Sequence, residues 1–290
     1  MTIDYQTLRN WTFEPVEQTY TARDAILYAL GLNFGEPDDR GHLRYVYESC
    51  LQVFPTFAVV LGYPGPWMTN PRTGIDTLKV LHAEQRLQLH RPIPPAATVI
   101  GRTRIVEVVD KGAGRGAIVI SERQVHDKAS SELLCTQVSS TFCRANGGFG
   151  GPVTDGPVPH PIPEGPPDVT VEIRSSRRAA LIYRLSGDYN PLHCDPDVAA
   201  AAGFREPILH GLCTYGIAAR AVVDACCDGD ADRLTTFDVR FSAPVYPGET
   251  LRTEIWRQDG AAAFRTLVPE RGIVVLNHGR AAIRDREGSA

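Results

Sequence analysis

HGLCTYGIAARAVVDACC, residues 210–227, is rich in small and apolar side chains and nearly free of charge. A helix of this composition has no polar face to offer to water, so it must be buried nearly all round. Such a helix needs a sheet wrapped about it, and the residues that follow supply candidates. The segments TTFDVRFSAPV (235–245), ETLRTEIWRQ (249–258), AAAFRTLVP (261–269) and GIVVLNHGRAAI (272–283) read as strands, separated by the turn signals YPGE, DG and ERG. Ahead of the helix, DVTVEI (168–173) alternates as a strand does. One buried helix followed by an antiparallel meander is the order expected for the second half.

The first half repeats the plan less regularly. TARDAILYALGL (21–32) has the spacing of an amphipathic helix, and the apolar segment LQVFPTFAVVLGY (51–63) is the candidate for a buried one. HAEQRLQLHRPI, ATVIGRTRIVEVVDKG, GAIVISERQVHD and LLCTQVSSTFCRA then fit a meander with turns at 94–95, 111–116 and 128–132. Between the halves stands GPVTDGPVPHPIPEGPPD (151–168), whose prolines remove backbone donors and fix φ, so an extended connector is expected there. The chain therefore reads as an N-terminal domain (1–150), a linker (151–168) and a C-terminal domain (169–290). The fold class is α+β, with each half a curled antiparallel sheet around a buried helix, as in divergent copies of one unit.

At 290 residues, 43% hydrophobic and 22% charged, the chain has the composition of a folded globular protein and not of a disordered or fibrous one. A net charge of −4 lacks the basic excess that neutralising nucleic-acid phosphates requires. The apolar run 51–68 is interrupted by Pro55, Pro64 and Pro66, and the N-terminus has no basic stretch leading into an apolar one. A cytoplasmic location without a membrane span is expected. Seven cysteines, an odd number with no CxxC pair, read as reduced thiols serving mainly as core filler.

The chemistry concentrates in Ser186-Gly187-Asp188-Tyr189-Asn190-Pro191-Leu192-His193. Gly-Asp and Asn-Pro are ordinary turn formers, and in isolation that would suffice to explain them. The neighbourhood adds more. Asp188 and His193 bracket the amide of Asn190, and an acid with an imidazole can hold one water and move protons near neutral pH. The buried helix starts at Gly211, where a backbone N–H meets the positive end of the helix dipole with no side chain to block approach. His210 is open to two readings, a third catalytic imidazole or a structural residue at the helix start. A metal site built from His193, Cys194, Asp195 and His210 matches no zinc spacing, so no metal is expected. GAGRG (112–116) lies between two strand patterns and reads as a hairpin turn, not a nucleotide loop.

YRLSGDYNPLHCDPDVAAAAGFREPILHGLCTYG (183–216) closely resembles the signature segment of the MaoC-like hydratase 2 family of (R)-specific enoyl-CoA hydratases. VLHAEQRLQLHRPIP (80–94), VVDKGAG (108–114), NGGFGG (146–151) and VRFSAPVYPGETL (239–251) resemble other stretches of that family in the same order, so nearly the whole chain is covered. The resemblance implies a double hot dog fold. It also implies that Asp188 and His193 form the catalytic pair, that Asn190 helps to hold the water, and that Gly211 donates its N–H to the thioester oxygen. His82 and Ala83 fall where the family has a His-Gly pair lining the acyl-CoA site; here alanine replaces the usual glycine. Lys111 and Phe241 match substrate contacts, and Tyr189 is placed with them.

The reaction so implied is reversible hydration of a trans-2-enoyl-CoA to a (3R)-3-hydroxyacyl-CoA by an Asp/His-activated water, with a backbone oxyanion hole. No cofactor is expected beyond the CoA carried by the substrate, because the conjugated thioester is already electrophilic. The expected partners are the enoyl-CoA and 3-hydroxyacyl-CoA substrates and a second copy of the chain in a homodimer, with no nucleic acid. Because the first half has no DxNPxH motif, it is expected to bind the acyl tail and perform no chemistry. Two other functions use the same architecture: a hot-dog acyl-CoA thioesterase and a non-catalytic acyl-CoA or lipid-binding protein.

Overall fold

A computed structural model of the chain describes residues 3–36, 40–152 and 158–285. The first half comprises α1 (Tyr5–Arg9), β1 (Val16–Tyr20) and α2 (Ala22–Gly31), then a run of short 3-10 turns, then β2 (Val80–Leu89), β3 (Ala97–Asp110), β4 (Ala117–Asp127) and β5 (Leu133–Cys143). The second half comprises β6 (Val169–Arg174), α3 (Ala179–Tyr183), α4 (Pro196–Ala201), α5 (Gly211–Cys226), β7 (Leu234–Phe241), β8 (Thr250–Gln258), β9 (Ala261–Val268) and β10 (Ile273–Ile283). All ten strands join one antiparallel sheet in the order β1-β3-β4-β5-β2-β7-β10-β9-β8-β6. The order β1-β3-β4-β5-β2 in the first half is repeated as β6-β8-β9-β10-β7 in the second, so the two halves share one topology.

The halves meet where β2 pairs with β7, in register from Glu84 opposite Arg240 to Gln88 opposite Thr236. This seam is pinned electrostatically. The buried Glu84 carboxylate accepts from Arg240 at 2.6 and 3.0 Å. A half-exposed arginine on a buried acid keeps the acid's charge satisfied without stranding its own.

The helix α5 is buried from Cys213 to Val223, as the composition of 210–227 requires, and it lies against strands β6 to β10. Full burial of Ile217, Val222 or Val223 contributes about 1.5–3 kcal/mol each, which outweighs the modest helix propensity of the β-branched residues. The middle of α5 rests on the end of α2. A Cβ at Gly216 would lie 2.5 Å from a Leu32 methyl, so any larger residue would force the Leu32 side chain to move. The Tyr215 hydroxyl donates to the Phe237 carbonyl at 2.7 Å and ties the helix to β7.

The first half departs from the expected helix at 51–63. Only Pro55–Val60 is helical, as a six-residue 3-10 turn flanked by extended Phe54 and Leu61. Pro55 has no N–H to continue a helix backwards. The carbonyls that an α-helix would use internally are taken by side chains from the sheet. Gln137 Nε2 donates to the Ala58 carbonyl at 2.6 Å, and Arg123 Nη2 donates to the Val59 carbonyl at 2.7 Å. The edge strand β1 was also not anticipated, being a five-residue strand with one fully buried position, Tyr20.

Of the connector 151–168, residues 153–157 lie outside the described residues, while 158–168 form neither helix nor strand. This stretch lies along the second half: Trp256 Nε1 donates to the Gly165 carbonyl at 3.3 Å, and His278 Nδ1 bonds the His160 carbonyl at 2.9 Å. All seven cysteines are unpaired, four of them buried. Among the described residues no helix is long and apolar enough to cross a membrane.

Candidate active site

The loop between α3 and α4 brings Asp188 and His193 to the N-terminus of α5. A 3-10 turn at Pro191–His193 forms because Pro191 suits its first position and the Asn190 side chain accepts from Leu192 N at 3.1 Å. That turn swings His193 inward. Its Nδ1–H donates to the Ile208 carbonyl at 2.8 Å, which fixes the tautomer and leaves Nε2 as a free acceptor. His210 follows the same logic: Nε2–H donates to the backbone carbonyl of Asp188 at 3.1 Å, and the buried Nδ1 has no partner. The two imidazoles stack with centroids 3.7 Å apart.

One ligating atom from each of Asp188, His193 and His210 lies within 4.8 Å of the others, with Asp188 exposed and both histidines buried. By chemistry such a set could hold one water, with a carboxylate and a lone-pair nitrogen able to receive its protons. The same donors could by geometry meet a metal ion. Asp195 plays no part, because its carboxylate caps α4 by accepting from Asp197 N at 2.9 Å. His210 thus joins the cluster spatially and also anchors the Asp188 loop to the helix start.

Burial sets the protonation states. His193 is held below the ordinary imidazole value of 6.5 by burial, against the opposing pull of the Ile208 carbonyl and Asp188. His210 is pushed down to about 4 by burial and then by the neighbouring His193. His82 is likewise pushed down to about 4 by burial, although Glu84, Gln85 and Asp188 act the other way. All three are neutral at pH 7. A base that must be neutral to accept a proton fails only once pH falls below its own pKa. The acid limb of kcat/KM is therefore expected below pH 6.5, and a limb centred at 6.5 or above would show that His193 is not the titrating group.

Gly211, the first residue of α5, faces the seam between the halves. A Cβ there would lie 3.2 Å from the Phe241 ring, and that ring in turn packs on His82 with centroids 4.7 Å apart. Gly211, Phe241 and His82 thus form one continuous wall, and Asp188 acts electrostatically on both His82 and Tyr63 across it. Ala83 occupies the β-bulge between His82 and Glu84, where β2 slips one residue against β5. The bulge turns His82 onto the inner face of the sheet.

The remaining two expected contacts are Tyr189, next to Asp188, and Lys111. Tyr189 is 58% exposed and stacks beneath Arg184 at 5.1 Å. Lys111 is in the β3–β4 hairpin turn, three strands across from Val80, or about 15 Å at ordinary strand spacing. The chemistry of that turn belongs to Asp110 instead, whose carboxylate accepts from the N–H groups of Gly112, Gly148 and Gly150 at 2.7–2.8 Å. The glycine-rich segments around it are thereby explained as turn and tether. Arg123 and Tyr63, which line the inner face near His82, carried no motif that sequence alone could reveal.

Residues 160–277 match the MaoC-like domain, and residues 18–145 match the hydratase 2 N-terminal domain of the multifunctional enzyme type 2. The chain is 39% identical to an enoyl-CoA hydratase of Mycobacterium tuberculosis over 96% of its own length and 98% of the relative's. It is also 39% identical to the mouse peroxisomal multifunctional enzyme type 2, spanning 90% of this chain but 36% of that protein. A MaoC-like dehydratase from Phytophthora capsici superposes with a TM-score of 0.87 at 31% identity, covering 99% of this chain and all of the other. By sequence, topology and fold the chain belongs to the MaoC-like hydratase 2 family and has its double hot dog architecture.

Proposed function

We propose that the chain is a hydratase that adds water reversibly to a trans-2-enoyl-CoA and yields a (3R)-3-hydroxyacyl-CoA. The observation that carries this reading is the Asp188, His193 and His210 cluster, with ligating atoms within 4.8 Å, beside the open N-terminus of the 16-residue helix α5. The names of its relatives, enoyl-CoA hydratase and 3-hydroxyacyl-thioester dehydratase among them, support the same substrate class.

The substrate's double bond is conjugated with the thioester carbonyl, so attack of water at C3 drives charge onto the thioester oxygen. The Gly211 N–H, at the positive end of α5, receives that charge; removing such a donor typically raises a barrier by about 2.7–4 kcal/mol. The water sits between the Asp188 carboxylate and His193 Nε2. The group that takes its proton returns one to C2 on the same face, and the R configuration follows if the bound substrate turns the corresponding face of C3 to this water. Asn190 has its side-chain oxygen committed to Leu192 N, so its amide N–H groups remain to hold the water. The conjugated thioester supplies the electrophile, so this scheme needs no redox cofactor.

The first half contributes no second catalytic set. Its short turn at Pro55–Val60, in place of a full helix, leaves the inner face of β2 to β5 to receive the acyl portion of the substrate. His82 and Phe241, at the seam, border the path from that face to Gly211.

A thioesterase and a hydratase bind the same ligand but break different bonds. With a purified sample and a trans-2-enoyl-CoA, the conjugated absorbance is expected to fall with no release of free thiol. Stoichiometric thiol release would establish hydrolysis instead, and binding without either change would establish a carrier.

A further inference from the structure

The inner face of the first half has the wrong chemistry for a plain hydrocarbon tail. Val119 and Val125 on β4 face inward, each into a separate apolar cluster, and Arg123 shares their face between the two clusters. Beside Arg123 on β5 lies Gln137, then Ser139, whose hydroxyl donates to Gln85 Oε1 on β2 at 2.7 Å. His82 continues this band to the catalytic seam, because the bulge at Ala83 places it opposite Thr141. A polar stripe thus crosses the concave side of the sheet from the seam to Arg123. From Thr141 to Gln137 it runs four residues along β5, about 13 Å.

Arg123 is the unusual member. It lies deep among protein atoms yet keeps some accessible surface, which is the situation of a residue on the floor of a trough. Its Nη2 bonds two neutral oxygens, the Val59 carbonyl and Gln137 Oε1, both at 2.7 Å. The buried Nε–H has no acceptor, and no carboxylate pairs with the guanidinium among the described residues. A buried cation without a counter-charge costs stability, and a neutral donor would hold the Val59 carbonyl equally well. Tyr63 stacks on Arg123 at 5.5 Å and also senses Asp188, so the cation opens toward the reacting centre and not to a remote surface.

We propose that Arg123 is the specificity-determining residue of a polar acyl subsite, and that the preferred substrates carry an anionic oxygen, a carboxylate, on the acyl portion distal to the thioester. The guanidinium's uncompensated charge, and the Nη1 donors not engaged by Val59 or Gln137, match a carboxylate in charge and in hydrogen bonding. Gln137, Ser139 and Gln85 along the way tolerate oxygens on the chain that an apolar tunnel would reject. This inference rests on the hydratase reading for its substrate class.

The test compares trans-2-enoyl-CoA substrates of matched six-, eight- and ten-carbon chains ending in a methyl, a hydroxyl or a carboxylate. At the best length, kcat/KM for the carboxylate is expected to exceed that for the methyl by at least about tenfold, the ratio that one charge-assisted hydrogen bond sustains. Arg123→Gln should collapse the ratio towards one, and Arg123→Lys should restore part of it. A wild-type preference for methyl ends at every length overturns the subsite, as does a ratio unmoved in Arg123→Gln. If Arg123→Gln does not fold, the wild-type ratio and Arg123→Lys decide. A wild type inert towards all substrates would refute the hydratase reading alone; calorimetry of saturated carboxyl-ended against methyl-ended acyl-CoA would then decide the subsite, with equal affinities overturning it.

Discussion

Asp188→Asn and His193→Ala are each expected to lower kcat at least about a hundredfold with the fold retained, the loss typical of a removed general acid or base. Asparagine keeps the oxygen that accepts from Asn190 N at 3.2 Å, so the loop geometry survives while the carboxylate's basicity is lost. His193→Ala also strands the Ile208 carbonyl, so His193→Gln is the companion variant that can still donate there. Because both residues act on one water, the double variant should cost far less than the product of the single effects. Rates from stopped-flow hydration, with circular dichroism for the fold, check this. Near-normal rates in either single variant would remove the pair from the chemistry, and multiplicative penalties would assign its members to separate steps.

Gly211→Val should reduce hydration by about a hundredfold to a thousandfold, the range seen when an oxyanion donor is lost. A Cβ at Gly211 would already sit 3.2 Å from the Phe241 ring, and the branched carbons of valine reach further into the space that the thioester oxygen needs. Gly211→Ala should be milder, since Phe241 is half-buried and has room to yield. Adding Phe241→Leu to Gly211→Ala should then recover part of the loss, whereas it should recover little in Gly211→Val. Unimpaired hydration by Gly211→Val would place the oxyanion site elsewhere.

Much of the fold was legible because it rests on two local signals. The near-absence of charge in 210–227 marks a helix buried all round, and the alternating segments after it match β7 to β10 to within a few residues. The segment 51–63 carried one local warning, Pro55, but the rest of the reason lies outside local sequence. Beyond Pro55, the run stays a short turn with Gln137 and Arg123 reaching in from strands remote in sequence to take its carbonyls. The site divides in the same way. Asp188, Asn190 and His193 share one loop, so their spacing is readable. The stacking of His210 on His193 depends on the packing of the Asp188–His193 loop against the start of α5, and the wall of Gly211, Phe241 and His82 on closure of the β2–β7 seam. Lys111 matched by position within a motif, and the hairpin that carries it is built on Asp110, whose contacts with Gly112 and Gly148 no local pattern announces.

The most direct test is hydration of one trans-2-enoyl-CoA by the wild type and by Asp188→Asn side by side, with the 3-hydroxyacyl product resolved on a chiral column. The wild type should give essentially pure (3R)-3-hydroxyacyl-CoA with no free CoA, and Asp188→Asn almost none. A racemic product, free CoA as the main product, or equal yields from the two proteins would contradict the assignment of Asp188, His193 and Gly211 as a one-face hydration centre, and a pure S product would contradict the face assigned to it.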